Sequence, residues 1–345
     1  MKITQVETLR LGEFPNIIWV RIHTDEGLVG LGETFMGAQT VEAYIHEWAA
    51  PKLLGKNPLA IESRNRELTG YLGWRGSGAE TRGNSAIDIA LWDIFGKAAN
   101  MPLHTALGGK SRDDIRIYNT CAGYRYVRNT VNQSTSNWGL GQSQGPYEDL
   151  EGFLHRADEV AESLLSEGIT AMKIWPFDLL AEKNWGKEIS SSDLKLGLEP
   201  IQKIRDAVGN KMEIMVELHA LWSPNAAKEI MSALKEFEIF WVEDPIYPDL
   251  LEELGVLRGN SMPKIAHGET IASRKRVERL VRENLIDVLT LDLGWCGGLT
   301  EGLAMAKLAK ENVHQYTPMA GFPPLMNQIA KLVKSSYNRT IIPET

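Results

Sequence analysis

Between Met172 and Asp292 short apolar runs recur, and each closes on a charged side chain. TAMKIW carries Lys173, EIMVELH carries Glu217 and His219, IFWVED carries Glu243, PKIAHGE carries Glu269 and IDVLTLD carries Asp292. Glu217, Glu243 and Glu269 follow one another at intervals of 26 residues, and Asp292 comes 23 residues later. A strand, a turn and a helix need about that much chain, since a full βαβ crossover takes roughly 30 residues. Charged or amphipathic segments such as NAAKEIMSALKEFE and SRKRVERLVRENL fill the intervals. The pattern predicts consecutive β/α units with one functional group at the C-terminal end of each strand, the end where (β/α)8 barrels place their chemistry.

A single Glu at a strand end is usually a solvated loop residue or a helix cap. Three in equivalent positions of successive units converge if the units close into a barrel. Uncompensated, they repel and raise one another's pKa. A divalent cation resolves that, and all-oxygen ligation without cysteine favours a hard ion, Mg2+ first and Mn2+ second. Side chains at i and i+2 of a strand share a face. Glu217 and His219 therefore point the same way, as do Lys173 and Trp175.

Composition excludes several classes. The net charge of −8 argues against a nucleic-acid or membrane-surface partner. Cys121 and Cys296 are too few for a disulfide framework and suit a reducing cytoplasm. No run of 18 apolar residues suggests a membrane span, and the opening MKITQVETLR lacks the apolar core of a signal peptide.

The first hundred residues read as strands and then helices, an α+β unit. MKITQVETLRL alternates, and NIIWVRIHTDEGLVGLGET reads as a hairpin turning at Asp25-Glu26-Gly27. VEAYIHEWAAPKLLG and SAIDIALWDIFGKAAN have helical spacing. The Gly-rich stretch from Gly73 to Gly83 lacks a phosphate-loop ending and reads as a loop. From Arg116 strand and helix alternate, with RIYNTCAGY as a first barrel strand. Residues 125–146 are expected to form a long loop over the mouth, and YEDLEGFLHRADEVAESLLSEG a single helix.

With these motifs in view, the chain resembles the enolase superfamily on its mandelate racemase-like branch. The resemblance rests on TDEGLVGLGET, SAIDIALWDIFGKAANMPLHTALGG, the Lys173 strand, VELH, VEDP, HGET and DLGWCGG. It runs to about residue 311. It implies an α/β architecture: an α+β capping domain, residues 1–115, over a modified TIM barrel, residues 116–345. It also implies an Mg2+ held by Glu217, Glu243 and Glu269, and abstraction of the proton α to a carboxylate. Lys173 is the expected base, with a pKa drawn toward neutrality by the metal and by partial burial. His219 is the expected second proton carrier, able to protonate a leaving hydroxyl. Some sugar-acid dehydratases of the superfamily have a His two residues after the first metal ligand. The expected substrate is therefore a sugar acid, dehydrated to a 2-keto-3-deoxy acid by a cytoplasmic homo-oligomer. A racemase or epimerase of a hydroxy acid is the alternative, as is a non-catalytic relative.

Three departures stand out. The family's Lys-x-Lys reads Lys173-Ile174-Trp175, so Trp175 offers an aromatic wall in place of the second lysine. Asp292 is expected to act with a histidine about 27 residues on, but that position is Met319, and His314 comes five residues early. After Asn312 the likeness ends, and the tail NQIAKLVKSSYNRTIIPET offers no good eighth strand, so the C-terminal part of the barrel is expected to be incomplete or divergent.

Overall fold

A computed structural model describes residues 1–70, 76–109, 114, 116–122, 149–259, 262–312, 315–319 and 339–341. The expected mouth loop at 125–146, the first part of the Gly-rich stretch and His314 lie outside those residues.

The first unit is an antiparallel sheet of β1 (Ile3–Leu11), β2 (Phe14–Thr24) and β3 (Val29–Phe35). The hairpin turns where the sequence indicated, with Gly27 at φ 79°, a left-handed conformation that glycine adopts without a Cβ penalty. β3 lies directly on the helix Ala79–Ala98. An added Cβ on Gly32 would come within 1.9 Å of the Ala86 carbonyl oxygen, and one on Gly30 within 2.1 Å of that of Ala90. The GLG motif thus lets strand and helix backbones touch. The helix buries Ile87, Ala90, Leu91 and Ile94 in a core shared with Ile18, Val20 and Ile22. It begins at Ala79, so the last residues of the Gly-rich stretch are helical rather than loop.

The second unit is an eight-stranded sheet. β4 (Ile117–Asn119), β5 (Ala171–Ile174), β6 (Glu213–Glu217), β7 (Trp241–Glu243), β8 (Ile265–His267), β9 (Val288–Asp292) and β10 (Gln315–Met319) run parallel in chain order. The tail does supply an eighth strand, β11 (Arg339–Ile341), but it pairs with β4 antiparallel. β11 also comes up against β10, at the far end of the sheet order. The barrel is therefore modified at its last position rather than left one strand short. One expected helix is two, Asp149–His155 and Ala157–Ser166, because Arg156 leaves helical geometry at φ −138°, ψ 49°.

Strand alternation divides the side chains of the barrel. Met172, Ile174, Ile214, Val216, Val242, Leu289 and Leu291 belong to the large core beneath the outer helices. Tyr118, Ala171, Met215, Trp241, Ala266 and Val288 form a separate buried cluster. Two residues further along β5, β6, β7 and β9, on the same face, come Lys173, Glu217, Glu243 and Thr290. The apolar cluster is thus a floor, and the charged groups stand on it.

The capping unit is bolted to the loop after β9. Thr34 Oγ1 donates to the Gly294 carbonyl at 2.7 Å, and Gly297 N donates to Ser85 Oγ at 2.9 Å. Asp88 accepts from Thr300 N at 2.9 Å and from its hydroxyl at 2.6 Å. The Arg82 guanidinium lies 3.9 Å above the Trp295 ring, a cation–π contact across the seam. No described helix is long and apolar enough to cross a membrane.

Candidate active site

The centre of the site is Lys173. Its side chain is 2% exposed, and Nζ lies 2.7 Å from Glu217 Oε2 and 2.9 Å from Glu243 Oε1. Three adjacent strands place these groups in register, with Lys173 opposite Met215 and Glu217 opposite Glu243. The Trp241 indole N–H donates to Glu243 Oε2 at 3.0 Å, which joins the floor to the cluster. Glu269 comes in from the turn beyond β8, out of phase with the strand. Single ligand atoms of Glu217, His219 and Glu269 lie within 4.8 Å of one another. That closest grouping includes His219 where the sequence pattern suggested Glu243, because Glu243 is turned toward Lys173 and Trp241.

His219 does face the same way as Glu217, though not through strand alternation. It lies beyond the end of β6 at φ 46°, and Ala220 follows at φ 56°. Left-handed conformations are uncommon for residues with a Cβ and gather where the surroundings over-determine them. His219 N donates to Glu217 Oε1 at 2.9 Å, and its ring Nδ1 lies 2.7 Å from Asp178 Oδ2. Its ring centroid is 5.3 Å from that of Trp175. Trp175, expected as an open wall for a sugar, is only 5% exposed and packs edge-on against Phe153. A second buried pair, His267 with Asp244, stands behind the cluster.

The charges do not balance locally, and the pKa values follow. Burial raises the Glu217 carboxyl, but Lys173 and His219 outweigh it and bring it down to about 2. Burial, together with Glu217 and Asp244, pushes Glu269 up to about 8. Burial also lifts Glu243 well above the usual carboxylate range, with Lys173 only partly offsetting it. One ammonium cannot keep the buried Glu217 and Glu243 and the partly buried Glu269 all ionised. Burial disfavours the charge on Lys173, but Glu217 and Glu243 hold its pKa well above the ordinary lysine value. In this arrangement Lys173 is a charged ion-pair partner of both glutamates, and the drift toward neutrality expected from the sequence belongs to the metal-bound site. Burial opposes the charge on His219 too, yet Asp178 and Glu217 raise it to about 10.

Asp292 is placed differently from the rest. It ends β9 with Met319 opposite it in register. Its Oδ1 accepts from Gly294 N at 2.7 Å, and burial raises it to about 6 against the pull of Gly294 and Arg82. It thus belongs to the seam with the cap. Glu33 of β3 stands near it, 4% exposed and raised to about 8 by burial, with Asp292 adding to the rise. Asp178 carries no motif that marks it, and Glu33, although inside TDEGLVGLGET, is not singled out there as a site residue. Asp178 meets His219 across 41 residues of sequence, and Glu33 sits inside a strand.

Comparison with known proteins agrees with this fold. Residues 12–108 match the mandelate racemase / muconate lactonizing enzyme N-terminal domain, and residues 155–340 match the enolase C-terminal domain-like family. The chain belongs to the enolase superfamily, on its mandelate racemase-like branch. It is similar to a D-xylonate dehydratase of Haloferax volcanii, 26% identical over 89% of this chain and 69% of the relative. It is also similar to a D-galactonate dehydratase of Klebsiella pneumoniae, 29% identical over 90% and 72%. Among solved structures, a mandelate racemase-subgroup enolase from Agrobacterium tumefaciens is 48% identical, with a TM-score of 0.78 over 90% of this chain and 76% of that one.

Proposed function

We propose that this chain is a divalent-metal-dependent hydro-lyase that dehydrates a sugar acid, an aldonate or an aldarate, to a 2-keto-3-deoxy acid. The reading rests on His219: an imidazole two residues beyond Glu217, turned into the carboxylate cluster, in a chain whose relatives include sugar-acid dehydratases.

The residues fit Mg2+, with Mn2+ second. The donors are carboxylate oxygens, and both cysteines are buried away from them. The Lys173 ammonium already sits where Glu217 and Glu243 both reach a cation. Glu217, Glu243 and Glu269 are the residues assigned to the ion. An ion held there would supply positive charge for the substrate carboxylate and would relieve the carboxylates' hold on the Lys173 proton.

Lys173 Nζ then takes the proton α to the carboxylate. The charge this leaves expels the β-hydroxyl, and His219 supplies the proton that lets it depart as water. The resulting enol gives up its hydroxyl proton, gains one at the β-carbon and becomes the keto acid. Asp292, tied to Gly294, is assigned to holding the mouth against the cap rather than to moving a proton. Trp175 fixes the imidazole instead of stacking on substrate.

The test is incubation of the purified protein with a panel of aldonates and aldarates and Mg2+, with detection of released 2-keto acid. One or a few acids should turn over, and His219→Gln should lower the rate at least about 100-fold, the usual worth of a positioned proton donor. Exchange of the α-proton with solvent deuterium but no keto acid would favour racemisation. Metal binding with neither reaction would mean a non-catalytic relative.

A further inference from the structure

In this structure a carboxylate outside the metal-binding strands holds the imidazole. Asp178 opens the short helix Asp178–Ala181 that follows β5. Its side chain is 1% exposed, and Oδ2 lies 2.7 Å from Nδ1 of His219. A carboxylate buried to that degree is costly unless a donor faces it. The His219 ring is 19% exposed, so it is sheltered but still reachable from the site. Three restraints act on this one residue. Its backbone N–H is held by Glu217, its ring Nδ1 by Asp178, and its ring packs at a tilt on Trp175, 5.3 Å between centroids. Meanwhile Asp292, the aspartate expected to orient a histidine, has Met319 opposite it.

We infer that Asp178 is a positioning residue for His219, and that the aspartate–histidine unit of this chain is built from the β5 loop and the end of β6 instead of from β9 and β10. The inference rests on the dehydratase reading above. By accepting from Nδ1–H, Asp178 selects one tautomer and one ring orientation, and proton traffic with the substrate then runs through Nε2. Its effect falls on the step that needs His219, cleavage of the β-carbon–oxygen bond. Abstraction of the α-proton by Lys173 is a separate event and is not held by Asp178.

This separation supplies the test. Asp178→Asn, and Asp178→Gly with added formate, are compared with wild type in D2O on whichever sugar acid is turned over. Keto-acid release and α-proton exchange are measured on the same samples, with thermal melts as the check on folding. In Asp178→Asn, kcat for keto-acid release should fall about 100-fold or more, with KM within about threefold. Exchange should persist, so the ratio of exchange to dehydration rises. Formate should restore part of the lost dehydration in Asp178→Gly. The dependence on Mg2+ concentration should be unchanged. Equal loss of exchange and dehydration in a folded variant, no loss of either, or a loss confined to Mg2+ affinity would each overturn the positioning role. A wild type inert toward the whole panel, by contrast, overturns the dehydratase reading itself and this inference with it.

Discussion

Glu33 is a buried acid that the proposed chemistry does not use. Among the described residues neither carboxylate oxygen has a hydrogen-bond partner in good geometry, and the nearby Trp19 side chain relieves only part of the cost. Its pKa rises from an ordinary 4.5 to about 8. The sign of the linkage follows. Between those values the folded chain keeps a proton that the unfolded chain releases, so stability falls as pH rises through that window. Glu33→Gln removes the cost. Urea melts at about pH 5 and about pH 8.5 should show the variant gaining on wild type with pH, by on the order of 2–4 kcal/mol at the alkaline end. Equal slopes for the two proteins would place the proton elsewhere. Lys173 shows how far charge state depends on neighbours. As an isolated buried lysine it would lose its proton readily, but within 3 Å of two glutamates it is held charged.

At the scale of elements, the capping unit depends on one close contact between strand and helix. Gly32 meets backbone rather than the tip of a flexible side chain, so nothing can move aside for a methyl group. Gly32→Ala should cost roughly 1–3 kcal/mol or more through overpacking. Gly12→Ala, with nothing within 4 Å of the added carbon, is the control and should change stability by no more than about 0.5 kcal/mol. Chemical denaturation of both variants checks this, and a Gly32→Ala protein as stable as wild type would mean that the helix sits further from β3. The loss should reach the site, because the same helix carries Arg82, Ser85 and Asp88, which hold the loop after β9. The barrel strands follow a different rule: β5, β6 and β7 are short, and each places an apolar residue two positions before the charged one it sends into the cluster. The floor at Trp241 and Met215 therefore decides the height at which Glu243 and Glu217 stand.

For the whole molecule, the excess of buried carboxylate makes cation binding and folding one problem. An ion that binds only the folded state stabilises it by about 2.7 kcal/mol at a hundred times its dissociation constant. For a chain of this size that is a rise in melting temperature of about 5–10 °C, at roughly 2–4 °C per kcal/mol. Thermal melts with and without Mg2+ should show that rise in wild type and its loss in Glu243→Gln. Without Mg2+, Glu243→Gln should melt no lower than wild type, because burial already penalises the ionised Glu243. A full Mg2+ response in the variant would remove Glu243 from the ligand set.

Much of this was readable in the amino-acid order. The recurrence of glutamates at 26 residues follows from the length of a β/α unit, so strand ends, barrel and acidic cluster could all be read from spacing. Lys173 was readable for the same reason, through strand phase, whereas His219 lies beyond the end of its strand, so strand phase does not account for its direction. The Asp25-Glu26-Gly27 turn and the helix ending before Pro102 were local matters of backbone preference. What lay beyond the sequence depends on contacts between residues far apart in the chain. Asp178 reaches His219 only because the β5 loop folds over the end of β6, and His219 faces the cluster through a left-handed backbone that no residue type announces. Asp292 is bound by Gly294 of its own loop, Lys173 is paired with two glutamates, and a three-residue strand from the tail enters antiparallel to β4. Spacing along a chain sets which groups stand at strand ends. Burial and the distances between charges, which decide what those groups can do, exist only once the strands are side by side.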